Sequence, residues 1–244
     1  MGFAATRLRF MGVYYTCEEG LNALKKKLVI FGTGDVAQLA HFYFTEDTAY
    51  DVVAFAVDGE YLSESVFCGL PVVTFEDVAE VYPPAQYDFF VALAYARQNA
   101  VRREKYLAVK ALGFTCVSYI SPRATVLNKG MIGDNCFILE DNVIQPFTVI
   151  GNNVVLWSGN HIGHHTIIRD HVFIASHVVV SGHVVIDEQC FLGVNATLRD
   201  NITIGSRCVI GAGALLLSDA EAGGLYKSIA TPRVEIGSKP FVNI

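Results

Sequence analysis

The sequence predicts two folds in series: an α/β domain with a Rossmann-like order of strands and helices, then a left-handed parallel β-helix. Three observations carry this expectation. Short apolar strands alternate with helical stretches from Lys26 to about Ile120. A glycine-rich turn follows the first of those strands, and beyond Pro122 an aliphatic residue recurs at every sixth position.

In the first part, "KLVIF" runs into "GTGDVAQLAHFYF", "DVVAFAV" ends at Asp58, and "PVV" leads into "FEDVAEVY". "YDFFVAL" then precedes "RQNAVRREKYLAVKALG", and "CVSYI" closes the segment. Strand, helix, strand in that rhythm specifies a parallel sheet with helices packed on it. In the turn "FGTGDVA", Gly32 permits the tight bend, Gly34 lets backbone approach a phosphate beside Thr33, and Ala37 allows close helix packing. Asp58, followed by Gly59, ends the next strand, where a carboxylate suits a ribose or a base edge. Tyr95 lies beyond the C-terminal end of "FFVAL", the side on which such sheets bind ligands. About 95 residues is short for a complete dinucleotide domain and suits a nucleotide-linked sugar better than NAD. Arg97, Arg102 and Arg103 read as solvated charges on a helix.

The second part is defined by its period. Every sixth residue from Val126 through Ile132, Ile138 and onward to Ile210 and Leu216 is aliphatic, sixteen in an unbroken series. A compact or β-branched residue sits two positions before most of them, as at Cys136, Thr148, Val172, Cys190 and Ala196. Alternation along a strand points both positions inward. A hexapeptide repeat of this kind builds a β-helix with three hexapeptides per coil, giving about five coils. The expected divisions are a leader over residues 1–25, the α/β domain over 26–121, the β-helix over 122–218 and a tail over 219–244. Met11 is an alternative start.

Composition narrows the function. A formal charge of -6 with a pI near 5.6 argues against nucleic acid as the main partner. The apolar run "YDFFVALAYA" falls short of the roughly 18 residues that span a bilayer, so no membrane insertion is expected and the chain reads as cytoplasmic. Six cysteines at 17, 68, 116, 136, 190 and 208 form no CxxC pair and are expected to be reduced.

Six of the seven histidines fall between residues 159 and 183. His165, His171, His177 and His183 are six apart, so successive members occupy different faces of the prism, separated by roughly 10 to 15 Å. That spacing rules out a single metal held by all four, and no metal is expected; only His165 and His183 stack on neighbouring coils. His161 and His164 stand outside the series. An outward imidazole there suits a general base, since its ordinary pKa lies near neutrality.

With these features together, and with "HHTIIRDHVFIASHVVVSGHVVIDEQCFLGVNATLRDNITIGSRCVIGAGALLL" following the α/β domain, the chain resembles a particular family. Its members acetylate 4-amino sugars on nucleotide carriers, with relatives named for sialic acid O-acetylation. The resemblance covers about residues 26–220. It implies acetyl-CoA as co-substrate, a nucleotide-linked amino sugar as acceptor and a homotrimer with sites between subunits. It places the family's catalytic base at His164, with His161 as the rival, and puts His165 where relatives carry an acidic residue. It implies acetyl-CoA contacts at Gly182, Gly193, Val194, Gly211 and Ala212, with Arg233 of the loosely matching "ATPR" as a further contact. O-acetylation of a sugar hydroxyl and a non-catalytic scaffold or sensor are the alternative readings.

Overall fold

The computed structural model describes residues 26–230 together with two short paired strands, β1 (Arg9–Phe10) and β2 (Val13–Tyr14). The rest of the leader, Met11 included, the end of the tail and Arg233 lie outside the described residues.

The α/β half holds β3 (Lys26–Phe31), α1 (Asp35–Asp47), β4 (Tyr50–Val57), β5 (Val66–Phe67), β6 (Leu70–Thr74), the single turn α2 (Val78–Val81), β7 (Tyr87–Val91) and α3 (Ala100–Ala111). Its sheet runs β5-β6-β4-β3-β7, parallel except for the β5 edge. Beyond their first two residues the central strands β3 and β4 are apolar, as burial on both faces requires: Leu28, Val29 and Ile30 are fully buried. Gly32 turns the chain out of β3 at φ +116, and a Cβ there would meet the carbonyl of Ala92 at 3.0 Å. Among the described residues no helix is long and apolar enough to cross a membrane.

The rest is a left-handed parallel β-helix of two-residue strands with three faces. The first face carries seven strands, from Tyr119–Ile120 to Leu225–Tyr226; the second carries six and the third four. Register advances by 18 residues per coil, Phe137 opposite Val155 opposite Phe173. The solenoid thus takes in the end of "CVSYI": Cys116 bridges to Phe89 of the sheet, while Tyr119 pairs with Phe137 of the β-helix. The sixfold aliphatic series forms the solenoid's core, with Ile138, Ile144, Leu156, Ile162 and Ile174 wholly buried.

A second sixfold series is conformational. Every sixth residue from Lys129 to Gly213 has positive φ, including His165 (φ 59), His171 (64), His177 (58) and His183 (58). The four histidines are therefore turn residues, set by the need for a left-handed conformation at each corner, which Asn, Asp and His tolerate better than most side chains.

The two halves meet on the first face. Phe137, Val155 and Phe173 point outward there, yet are buried against Leu28, Phe44 and Phe90 of the α/β half. Polar groups fix the docking. Asn135 acts as an edge-strand mimic, its Oδ1 accepting from Val91 N (2.7 Å) and its Nδ2 donating to Val91 O (3.3 Å). Asn99, at φ 66 before α3, donates from Nδ2 to the carbonyls of Gln189 and Cys190.

Arg102 corrects the expectation of a solvated helix charge: it is fully buried. Its guanidinium donates to the carbonyl of Asn153, to His171 O (3.0 Å) and to Asn99 Oδ1 (2.8 Å). Burial lowers its pKa to about 9, which still leaves it protonated at neutral pH. Arg97 does remain exposed, paired with Glu104.

Replacing Arg102 by Met strips three buried acceptors of their donor, and should destabilise the chain by about 3 kcal/mol or more in urea unfolding. His171, buried at the corner where Arg102 docks, has its pKa lowered to about 4, first by burial. In the unfolded chain it protonates near 6.5, so its contribution to stability is intact above that pH and is lost as pH falls toward 4. H171N, with a side chain suited to positive φ, should show a flatter fall in unfolding midpoint than the parent between pH 7 and 4.5.

Candidate active site

The corner between the second and third faces gathers three of the six histidines the sequence singled out, His164, His165 and His183. Positions 18 apart stack there in two adjacent columns, one of Phe147, His165 and His183, the other of Pro146, His164 and Gly182. In the first, the His165 ring lies parallel to that of His183, centroids 4.7 Å apart with 7° between planes, and Phe147 packs at 4.7 Å on its other side. In the second, His164 occupies space that exists because residue 182 is glycine: a Cβ on Gly182 would sit 2.7 Å from His164 Cε1 and 2.9 Å from Nε2.

His164 is exposed, and its backbone N–H donates to Gln145 Oε1 at 2.9 Å. Its Nδ1 lies 3.1 Å from His165 Nδ1, so one of the two nitrogens carries the shared proton and the other accepts. His165 is thereby the group that holds the Nδ1 side of His164. Crowding lowers the pKa of His165, through lost hydration first and then the neighbouring charges of His183 and His164, which favours its neutral form. With His164 Nδ1 engaged, Nε2 is left facing the Gly182 backbone. The Gly182 N–H has no acceptor among the described residues, while its carbonyl accepts from Asn201 N.

His161 lies apart from this group, half-buried on the second face between Val143 and Val179 of adjoining coils. His171 and His177 fall on the other two corners, as the spacing argument requires. His164, outside the sixfold series, joins His165 and His183, so one ring nitrogen from each of three histidines lies within 4.8 Å of the others. Histidine spacing alone does not connect 164 with 183; Gly182, one residue before His183 and directly beneath His164, is the signal that links them.

The other candidate residues collect elsewhere. A cleft of about 270 Å³ at the C-terminal ends of β3 and β4 is lined by Thr33, Val57, Tyr61, Ser63, Glu64 and Phe67. Gly34 begins α1 with no side-chain cap and open space about its Cα, leaving the first amides of the helix uncovered. Asp58, beside this region, is ion-paired with Lys105, and Gly59 N donates to Glu76. A second, apolar cleft of about 200 Å³ lies between the halves, where Val36, Ala94 and Tyr95 face Trp157, Phe173 and Val194. The Tyr95 ring meets Phe191 at 4.7 Å. Val194 and Ala212 occupy successive coils at the corner between the first and second faces, both exposed, with Gly193 and Gly211 just inside them. A Cβ on Gly193 would lie 2.6 Å from Ala212 N, so close coil stacking requires glycine there.

Within one chain, then, the histidine corner with Gly182 and the corner with Val194 and Ala212 are different edges of the prism. The first face is covered by the α/β half, whereas the other two present outward apolar residues: Ile167 on the third, Val179 and Leu215 on the second, 38, 41 and 62% exposed.

Residues 129–163, 147–182 and 183–218 match the model of the bacterial transferase hexapeptide family (six repeats). No curated protein matches the sequence. Among solved structures, the acetyltransferase domain of PglB from Neisseria gonorrhoeae superposes with a TM-score of 0.74 at 26% identity, over 82% of this chain and 95% of that one. The same domain is solved in complex with acetyl coenzyme A, at 25% identity and the same TM-score. A histidine-to-asparagine variant of perosamine N-acetyltransferase from Caulobacter crescentus, in complex with CoA and GDP-perosamine, gives 0.73 at 22% identity, over 82% of this chain and 92% of that one. These matches span both halves of the fold, not the repeats alone. Over residues 129–218 the chain thus carries the bacterial transferase hexapeptide, and its two-part architecture is that of solved sugar acetyltransferases.

Proposed function

We propose that the protein transfers an acetyl group from acetyl-CoA to the amino group of a nucleotide-linked sugar, a 4-amino-4,6-dideoxy sugar in first place, with His164 as general base. The observation that carries this reading is the local geometry of His164: one ring nitrogen held by His165, and the ring packed over Gly182, whose backbone N–H has no acceptor among the described residues. Likeness over both halves to proteins solved with acetyl coenzyme A, or with CoA and GDP-perosamine, supports the choice of substrates.

In this reading His164 Nε2 takes a proton from the sugar amine as the nitrogen attacks the thioester carbon. The tetrahedral oxyanion is met by the Gly182 N–H. Collapse breaks the carbon–sulfur bond, and the proton on His164 passes to the departing thiolate, so that amide and free CoA leave without a covalent enzyme intermediate. His165 serves as a positioning residue, fixing the tautomer that leaves Nε2 free to accept. The clefts at Thr33 and at Tyr95 hold the nucleotide and guide the sugar. Since the histidine corner and the Val194–Ala212 corner are different edges of one prism, a neighbouring copy completes the site. The uncovered faces bearing Ile167, Val179 and Leu215 supply the contacts of a homotrimer.

The test is a thiol-release assay with acetyl-CoA and nucleoside-diphosphate-linked 4-amino sugars, beside acceptors that carry only hydroxyls. Release with amines alone supports N-acetylation, release with sialic-type hydroxyl acceptors alone would replace it with O-acetylation, and silence with every acceptor favours a scaffold. H164A should lower kcat by roughly 10²- to 10⁴-fold with little change in KM. H165A should lower kcat less, and H165D, which restores an acceptor for Nδ1–H, should recover it; a purely structural role for His165 predicts no such recovery. Sedimentation equilibrium should give three chains per particle.

A further inference from the structure

The three imidazoles at the second-to-third corner have a property that base catalysis does not use. One nitrogen each of His164, His165 and His183 falls within 4.8 Å of the other two, and all three side chains are exposed. A tetrahedral ion bound at about 2.0 to 2.1 Å holds its nitrogen ligands roughly 3.3 Å apart. The Nδ1 atoms of His164 and His165 already stand at 3.1 Å. The remaining separations close by about 1.5 Å at most, within the reach of exposed rings turning about their side-chain torsions. The backbone is fixed, because 165 and 183 are stacked turn residues on adjoining coils and 164 is hydrogen-bonded through Gln145. Phe147 closes one end of the column, and Asn201, the turn residue of the next coil, stands beyond His183 at the other.

We propose that His164, His165 and His183 form a binding site for a borderline-soft divalent cation, Zn²⁺ first among them, with water in the open position. The donor set decides the class of ion: three imidazole nitrogens and no carboxylate suit Zn²⁺, Ni²⁺ or Cu²⁺ and not Mg²⁺ or Ca²⁺, which take oxygen ligands. The ion is no participant in acetyl transfer. It takes a lone pair of His164 and displaces the proton shared with His165, so it inhibits; that half of the proposal rests on His164 being the base, whereas binding does not.

Calorimetric titration of ZnCl₂ into the full chain, freed of any oligohistidine tag and of chelator, tests the site independently of activity. The expected result is one saturable site per chain, weakened at least roughly ten-fold in H165N and in H183N. Asparagine keeps the positive φ of both positions, so these variants should fold. H177N, a turn histidine on a different corner, is the control and should bind as the parent does. Absence of saturable binding, or equal affinity in H183N, would overturn the site. In the thiol-release assay Zn²⁺ should inhibit over the range in which it binds, with EDTA restoring the rate. Binding without inhibition would overturn the inhibitory half, and an enzyme inactive before any metal is added would instead count against the proposed function.

Discussion

The left-handed residue at every sixth position is the constraint on which the site depends. A two-residue strand can turn a prism corner only if the chain reverses curvature there, and the positive φ of residues from Lys129 to Gly213 does this. Such a conformation costs roughly 1 kcal/mol for a residue with a side chain, and the cost is offset by the coil-to-coil pairing that follows. It also aligns side chains with an 18-residue repeat, and that vertical alignment places His183 beneath His165 and Gly182 beneath His164. No interaction among the histidines had to be selected for them to meet; a histidine tolerated at one turn faces whatever occupies the turn a coil away.

The docking of the α/β half decides which corner is available. Asn99, Arg102 and Asn135 satisfy backbone groups of both halves at once, so the first face and its flanking corner are sealed. A buried guanidinium is a costly way to join two surfaces, and here it is compensated by carbonyl acceptors and by the Asn99 side chain, with Phe173 at 5.9 Å from its carbon. What remains outside is the apolar second and third faces, the histidine corner between them and the corner that carries Val194 and Ala212. A solenoid that leaves two apolar faces open is expected to cover them with copies of itself.

Much of this was legible in the sequence because a β-helix is close to one-dimensional. Sixteen aliphatic residues at fixed spacing define the core without reference to anything distant, and the same spacing places His171 and His177 on other corners than His165 and His183. Arg102 was not legible. A helix arginine flanked by Arg103 and Glu104 reads as solvated, and only the carbonyls of Asn153 and His171, 51 and 69 residues away in sequence, make burial tolerable. The meeting of His164 with His183 needed a different kind of reading, from the glycine at 182 to the space it leaves. Asp58 shows the same limit, since its pairing with Lys105 joins β4 to α3 across the sheet.

In the proposed mechanism, an imidazole at 165, where the resemblance puts an acid beside the base, has a physical consequence. A carboxylate on the far nitrogen would both orient His164 and stabilise its protonated form. In that mechanism a neutral His165 would orient without lending charge, so less of the transition-state stabilisation would come from the histidine pair and more from the amide at Gly182. The same exchange replaces an oxygen donor with a nitrogen donor. It turns a site that would discriminate poorly among cations into one whose ligands favour the later transition metals. On the two proposals, orientation of the base and susceptibility to such ions are results of the same residue, and both follow from the turn position that residue 165 occupies.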